Sequence, residues 1–158
     1  MPTEILHDIP DAADIHLAHA RIRAQIRQTP VINDPGLDEE LGCRLFCKCE
    51  NLQRTGAFKF RGAFNSMSRL TEAEKAQGVI TFSSGNHAQA VALVGQMLNI
   101  QTTIVMPNNA PETKRAATED YGATIVEYDP KDTTREALAE SLQAKKDFTM
   151  IPPFDHTG

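Results

Sequence analysis

One lysine stands in an unusual setting for its charge. Lys59 lies between Phe58 and Phe60 in the stretch TGAFKFRGA, residues 55–63, where a loop leads into a helix. Three interpretations are open: a structural lysine whose amine extends to solvent, an anchor for a phosphate or carboxylate, and an amine that does covalent chemistry. The third requires a neutral amine, and an apolar setting disfavours the charged form. Taken alone, the stretch is more typical of a structural lysine.

The second candidate is the stretch SSGNHAQAVA, residues 83–92, which follows an apolar strand and opens a helix. In open parallel sheets, ligands bind at the carboxyl ends of the strands. The amides and dipole of a helix N-terminus attract an anion, and Gly85 permits close backbone approach. The stretch therefore predicts a carboxylate-binding loop, although its polar side chains could instead only cap the helix. The candidate substrate-binding residues are Ser83, Ser84, Gly85, Asn86 and His87.

The composition excludes several function classes. The chain has 158 residues, of which 41% are hydrophobic and 23% charged, and its formal net charge is −5. An acidic balance without a basic stripe argues against nucleic acid as a partner. No apolar run reaches the length of a membrane span, and the N-terminus lacks the apolar core of a secretory signal. We therefore predict a globular protein with a small-molecule partner, and neither a nucleic-acid nor a membrane partner.

Three cysteines, Cys43, Cys47 and Cys49, lie close together in the first half of the chain, and the last two share one face of an apparent strand. A zinc site would need a fourth ligand at a familiar spacing, and none is evident. We therefore predict no metal site. Reduced thiols fit a cytoplasmic location.

Two kinds of pattern divide the chain. In the first part, the sequence indicates a helix at 11–28 with an apolar face of Ile15, Ala18, Ile22 and Ile26, a turn at 33–36, a strand at 43–51, a helix at 58–70, and a short helix opened by a capping box of Thr71 and Glu74. From residue 78 onward it indicates strands at 78–84, 101–107, 123–129 and 148–153, and helices at 85–99, 110–122 and 133–146. Strands that alternate with helices predict an α/β fold of open parallel sheets with helices on both faces.

Together the two stretches strongly resemble the fold-type II pyridoxal-phosphate enzymes, and within them the threonine/serine dehydratase and serine racemase branch. That branch carries a Ser-Phe-Lys-x-Arg-Gly-Ala lysine motif and a Ser-(Ser or Ala)-Gly-Asn-His loop. The resemblance continues through IVMPNNAPETKRAATEDYGATIVEYD and IPPFD, and so covers nearly the whole chain.

The resemblance implies pyridoxal 5'-phosphate as cofactor and an amino acid as substrate. The implied reaction is the threonine/serine ammonia-lyase type, in which a β-hydroxy amino acid is dehydrated and deaminated to a keto acid and ammonia. A serine or aspartate-type racemase, or a hydroxyaspartate dehydratase, is the alternative enzyme. An amino-acid-binding module without catalysis is the alternative outside the enzymes.

Roles for individual residues follow from the same resemblance. Lys59 matches the lysine that bonds covalently to the cofactor aldehyde and takes the α-proton. Phe58 matches a residue that packs against the cofactor ring, and Asn86 matches the side chain that bonds the ring oxygen. Residues 83–87 match the loop that holds the substrate carboxylate. Ser84 matches an acid/base of racemase-like members, whereas many dehydratases have alanine there.

Departures from the family pattern also matter. Ala57 stands where serine is common. The family's glycine-rich phosphate loop, its late serine or cysteine at the pyridine nitrogen and its cation ligands have no match. The resemblance thus implies an incomplete large domain at 1–76, a small α/β domain at 77–153 and the start of a return to the large domain at 154–158. We expect the 158 residues alone to be inactive, and the full-length protein to be a homo-oligomer.

Overall fold

The computed structural model describes residues 10–154. The elements of the first half are the helices α1 (Ala12–Ile22) and α2 (Pro35–Leu41), the antiparallel strands β1 (Val31–Ile32) and β2 (Cys47–Lys48), and short 3-10 turns at Glu50–Leu52 and Arg54–Gly56. The elements that follow are the helices α3 (Lys59–Met67), α4 (Glu72–Gln77), α5 (Asn86–Leu98), α6 (Glu112–Asp120) and α7 (Arg135–Lys146), and the strands β3 (Val79–Phe82), β4 (Thr102–Pro107), β5 (Thr124–Tyr128) and β6 (Thr149–Met150).

The first helix is shorter than its sequence pattern predicts. An Asp11–Asp14 capping box opens α1, but the helix ends at Ile22. Beyond it, the backbone N–H and C=O of Arg27 pair with the side-chain amide of Gln53, at 2.9 Å each, and these bonds replace helical ones. The predicted apolar face is only partly buried, since Ile22 is buried and Ile15 is 63% exposed.

The predicted strand at 43–51 is also mostly wrong. Only Cys47 and Lys48 pair with β1, and the chain turns at Cys49, so the two cysteines do not share a strand face. A 3-10 turn begins at Glu50, whose carboxylate accepts hydrogen bonds from Arg61 and from the Thr29 hydroxyl, and these long-range bonds are compatible with the turn and not signalled by the local pattern.

Helix α2 stands where the sequence indicated only a turn. The Asp34 carboxylate accepts from the N–H groups of Gly36 and Leu37, and Pro35 occupies the first helical turn, where its missing N–H costs nothing. The capping box predicted for α4 is confirmed: Thr71 N–H donates to Glu74, and Glu74 N–H donates to the Thr71 hydroxyl.

Four parallel strands form the main sheet of the described part, in the order β5–β4–β3–β6. Neighbouring residues of β3 face opposite sides. Val79 shares a core cluster with residues of α3 and α5. Ile80 shares a different cluster with Ala139 of α7 and with Phe148, which follows α7. Helices therefore cover both faces of the sheet, and the predicted fold class is confirmed.

Helix α3 shares a core with α5, although the two elements fall on opposite sides of the predicted domain boundary at 76/77. Phe60 and Met67 of α3 are fully buried there. Burying each such side chain contributes about 1.5–3 kcal/mol, so this contact fixes Lys59 relative to the start of α5. The division into two domains stays a prediction, and its return segment at 154–158 lies, apart from Phe154, outside the described residues.

No helix between residues 10 and 154 combines the length and the apolarity that a membrane crossing needs.

Candidate functional site

The two candidate stretches meet on one segment that follows β6. Lys59, the first residue of α3, donates from Nζ to the carbonyl oxygen of Pro153 at 2.7 Å. His87, in the first turn of α5, places Nε2 3.0 Å from the carbonyl oxygen of Ile151. The fold thus brings together a lysine and a helix N-terminus that are more than twenty residues apart in sequence.

The residues of this segment explain why its carbonyls accept side chains. Parallel pairing of β3 with β6 ends at Ile80 and Met150, and Ile151 N–H still donates to Ile80 O at 2.9 Å. Pro152 and Pro153 have no N–H with which to continue the ladder. The strand therefore leaves the sheet edge, and its carbonyl oxygens turn to His87 and Lys59 instead.

The aromatic setting of Lys59 is one-sided. The ring of Phe58 is 57% exposed, and its centroid lies 5.2 Å from Lys59 Nζ. Phe60 points into the core, where it is fully buried and contacts Arg54 on one ring face. Lys59 itself is half-buried. One exposed aromatic ring therefore accompanies a partly sheltered amine.

The loop at 83–87 leaves the start of α5 accessible. Ser83 N–H donates to Val105 O, and the Ser83 hydroxyl accepts from Gly85 N–H at 3.2 Å, before the helix begins. Within residues 10–154, no side chain caps α5. Ser84 and Asn86 are exposed, and a Cβ placed on Gly85 would meet no atom of these described residues within 4 Å. Open space thus adjoins helix amides that have no side-chain cap, which is the arrangement that an anion needs.

His87 differs from the rest of the loop because its side chain is buried. Burial lowers the pKa of His87, the hydrogen bond to Ile151 raises it, and the positive charge of Lys59 lowers it. A carbonyl oxygen only accepts, so the bond to Ile151 places a hydrogen on Nε2. His87 thus acts as a neutral donor that fastens the α5 start to the end of β6.

Lys114 also contacts the start of α5, a contact that the sequence did not predict. It lies in the first turn of α6, is half-buried, and donates from Nζ to Asn86 Oδ1 at 3.1 Å. The only sequence signal is that α6 follows β4, whose carboxyl end adjoins that of β3. This topology predicts that the starts of α5 and α6 lie side by side, but it does not predict which of their residues are in contact.

Arg61, also part of the lysine motif, has a structural contact. Its guanidinium forms two hydrogen bonds to Glu50, at 2.8 and 2.7 Å, and Glu50 also accepts from the Thr29 hydroxyl. The Arg61 hydrogen bond is the main cause that lowers the pKa of Glu50 to about 2. The pair ties the first turn of α3, and with it Lys59, to the preceding loop.

The donor set fits a cofactor that carries an aldehyde and an anionic ring oxygen. Lys59 offers an amine beside an exposed ring, Asn86 offers a side-chain amide, and α5 offers backbone amides next to open space. Within residues 10–154, no group of three or more His, Cys, Asp or Glu side chains is arranged to hold a metal ion. Cys43, Cys47 and Cys49 are free thiols.

Comparison with known proteins gives consistent matches. A family model described as pyridoxal-phosphate dependent enzyme matches residues 22–158. The chain is 49% identical over 150 residues to the L-threo-3-hydroxyaspartate ammonia-lyase of a Pseudomonas species, which covers 95% of this chain and 45% of that protein. It is 40% identical over 148 residues to the catabolic L-threonine dehydratase of Staphylococcus aureus, with 93% and 43% covered.

Among solved structures, maize serine racemase matches with a TM-score of 0.86 at 39% identity, over 92% of this chain and 44% of that chain. The chain thus spans less than half the length of these relatives.

Proposed function

Because the chain belongs to the pyridoxal-phosphate dependent enzymes, we propose that the protein dehydrates and deaminates a β-hydroxy amino acid to a keto acid and ammonia. The observation that carries this proposal is the meeting of Lys59 and the α5 start on the 151–153 segment. It supports the proposal because the reaction needs an amine and an anion-binding group near one another, and Lys59 and the start of α5 bond carbonyls of the same segment.

Three residues would hold the cofactor. The amine of Lys59 would bond to its aldehyde, the exposed ring of Phe58 would pack against its ring, and the side-chain amide of Asn86 would bond its ring oxygen. When bound, the cofactor supplies an electron sink that stabilises negative charge at the substrate α-carbon.

The substrate carboxylate binds at the start of α5. In the loop of Ser83, Ser84, Gly85, Asn86 and His87, the Gly85 N–H bonds the Ser83 hydroxyl. The amides that follow at the start of α5 have no side-chain cap within residues 10–154 and lie beside open space. The dipole of this 13-residue helix adds positive potential at the same point. The buried contact of His87 with Ile151 fixes the loop so that its amides keep their direction.

Lys59 is the base of the elimination. Once the substrate amine has replaced Lys59 at the aldehyde, the freed neutral Nζ would take the α-proton of the substrate, and the Pro153 carbonyl would keep Nζ in place. The Cβ–O bond would then break, and the hydroxyl would leave as water with the proton that Nζ has taken. Addition of water to the resulting unsaturated amine would give the keto acid and ammonia.

The names of two relatives support this substrate class. L-threo-3-hydroxyaspartate and L-threonine both carry a hydroxyl on the β-carbon and a free α-carboxylate. These shared groups match the proposed roles: the carboxylate would bind at the start of α5, Lys59 would take the α-proton, and the β-hydroxyl would leave. A module that only binds amino acids would not need the amine of Lys59.

A second candidate function is racemisation, which Ser84 favours. Its hydroxyl lies on the exposed loop at the α5 start, where it would serve as acid/base on the face of the substrate opposite Lys59. The match to maize serine racemase supports this alternative.

The direct test is an assay of the full-length protein, not of the 158 residues alone, with added pyridoxal phosphate. L-serine, L-threonine and L-threo-3-hydroxyaspartate are incubated separately, and keto acid and ammonia are measured together. Equimolar formation of both from at least one substrate is expected. Racemisation without ammonia would favour the second candidate, and cofactor binding without any turnover would contradict both enzyme readings.

Two further properties belong to this proposal. We place the protein in the cytoplasm, because three free thiols in one short stretch suit a reducing compartment. We also propose that the full-length protein is a homo-oligomer, as the family resemblance implies, which its mass in solution tests.

A further inference from the structure

We propose that Lys114 is a positioning residue that sets the orientation of the Asn86 amide, so that the amide presents its N–H donors and not its oxygen to the cofactor ring oxygen. This inference rests on the proposed function. Lys114 lies in α6, outside both the lysine motif and the 83–87 loop, and the proposal gives it a role in cofactor binding.

The side chains of Lys114 and Asn86 differ in which hydrogen bonds they can form. An asparagine amide has an accepting oxygen on one side and a donating NH2 on the other, and a lysine ammonium only donates. The contact of 3.1 Å between Lys114 Nζ and Asn86 Oδ1 therefore fixes which side faces Lys114. The donating Nδ2 group must turn the other way, away from α6.

The orientation matters because the ring oxygen of pyridoxal phosphate accepts hydrogen bonds when it is ionised. Asn86 is exposed, and without Lys114 nothing else in residues 10–154 bonds its side chain. A half-turn of the amide would then bring Oδ1 against the ring oxygen, where two acceptors repel. The hydrogen bond from Lys114 prevents this rotation of the amide before the cofactor binds.

The placement of Lys114 is itself well fixed. Its backbone N–H donates to Pro111 O at 2.9 Å, and its carbonyl accepts from the Thr118 hydroxyl at 2.7 Å. Within residues 10–154 its ammonium forms no ion pair, whereas the next residue, Arg115, pairs with Glu127. Lys114 thus has Asn86 as its side-chain partner in the described part of the chain.

The test measures cofactor affinity, not only activity. Pyridoxal phosphate is titrated into the cofactor-free full-length protein and followed by absorbance, for wild type, Lys114→Met, Lys114→Gln and Lys114→Arg. Loss of one hydrogen-bonding partner weakens binding by about tenfold, so Lys114→Met is expected to raise the Kd by that factor. Gln and Arg each keep an N–H donor and should restore most of the affinity.

Gln separates orientation from charge. If Lys114→Gln binds as weakly as Lys114→Met while Lys114→Arg binds normally, the charge and not the donor is what counts, and the proposal is overturned. Lys131→Met serves as the matched control, because Lys131 is an exposed lysine before α7, and its change should leave the Kd unaltered.

A double-mutant cycle with Asn86→Ala gives the decisive outcome. If Lys114 acts through Asn86, Lys114→Met has no further effect once the amide is gone. Independent, multiplying effects of the two changes would overturn the proposal. Failure of wild type to bind pyridoxal phosphate would refute the proposed function as well, whereas normal binding with no response to any Lys114 variant would refute this inference alone.

Discussion

Lys59 and His87 are fastened to the same short piece of backbone: Pro153 O accepts from Lys59 Nζ at 2.7 Å, and Ile151 O lies 3.0 Å from His87 Nε2. The positive charge of Lys59 is one cause that lowers the pKa of His87. The proposed base and the proposed carboxylate loop therefore share one support, and a change in either residue is expected to affect the other.

Replacement of Lys59 tests the covalent role. Borohydride reduction of the cofactor-loaded protein should fix the cofactor on Lys59, as peptide mass spectrometry would show. Lys59→Ala should lose both this label and essentially all turnover, because no amine remains to bond the aldehyde or take the α-proton. Lys59→Arg keeps the charge but not the reactivity and should fail equally. Near-normal turnover in either variant would refute the assignment.

Ser84 separates elimination from racemisation. Racemisation needs an acid/base on each face of the planar carbanion, whereas elimination with lysine as base needs one. Ser84→Ala should therefore abolish interconversion of D- and L-serine and leave dehydration of the L-substrate largely intact, as chiral chromatography and a keto-acid assay would measure. A variant that still racemises at the wild-type rate would leave Ser84 without a chemical role.

The buried His87 should make stability depend on pH near neutrality. Its pKa is lowered on folding, mainly by burial, so the unfolded chain binds the proton more readily. The stability that the neutral ring provides is full above the unfolded pKa of about 6.5 and falls as the pH drops below it. His87→Gln keeps a donor for Ile151 without titrating. Thermal unfolding at pH 7.5 and 5.5 should show a smaller decrease in Tm for the variant than for wild type.

Glu50 should contribute in a lower pH window. Its pKa falls from 4.5 to about 2, chiefly through Arg61, so its stabilisation is present above pH 4.5 and is lost as the pH falls towards 2. Because both side chains keep some exposure, Glu50→Gln should cost about 1–3 kcal/mol at pH 7.

Urea unfolding of the Glu50 variant checks this window, since the difference from wild type should shrink at pH 3. Glu136→Gln is the control: its pair with Arg135 is exposed and should not measurably affect stability. An equal loss at both pH values would show that Glu50 acts by packing and not by charge.

Two glycines should respond oppositely to alanine. A Cβ on Gly95 would lie 2.3 Å from Thr102 Cγ2 and 2.9 Å from Ile100 O, so Gly95→Ala should force α5 away from β4 and destabilise by about 1–3 kcal/mol. A Cβ on Gly62 would meet no atom within 4 Å. Gly62→Ala, within α3, should stabilise by up to about 1 kcal/mol, because alanine is the better helix former. Chemical unfolding of both variants decides.

The parallel sheet was predictable from sequence because its strands are short apolar runs with many β-branched residues, each followed by an amphipathic helix. Local pattern and tertiary position agree there. In the first half they disagree: beyond the end of α1 the backbone of Arg27 bonds the side chain of Gln53, and a 3-10 turn begins at Glu50, whose carboxylate bonds Arg61. Such bonds join residues far apart in sequence, and periodicity does not report them.

The same distinction holds for the site. The lysine stretch and the 83–87 loop each carry a local signal, so both could be named in advance. The contact of Lys114 with Asn86 and the use of the Ile151 and Pro153 carbonyls depend on which chain ends meet at the sheet edge. These relationships follow from the fold and were not predicted from the sequence.

The two prolines after β6 have a consequence for mutational scanning. The atoms that hold Lys59 and His87 are backbone oxygens, which every amino acid carries, so no side-chain truncation at Ile151 or Pro153 can delete them. What a substitution at Pro152 or Pro153 does change is the backbone itself, by adding an N–H and releasing φ. The effect of substitutions at Pro152 and Pro153 on activity and stability should therefore depend on the loss of the rigid proline backbone and not on the chemistry of the new side chain. All replacements of a given proline should be similarly harmful, whatever their size or polarity.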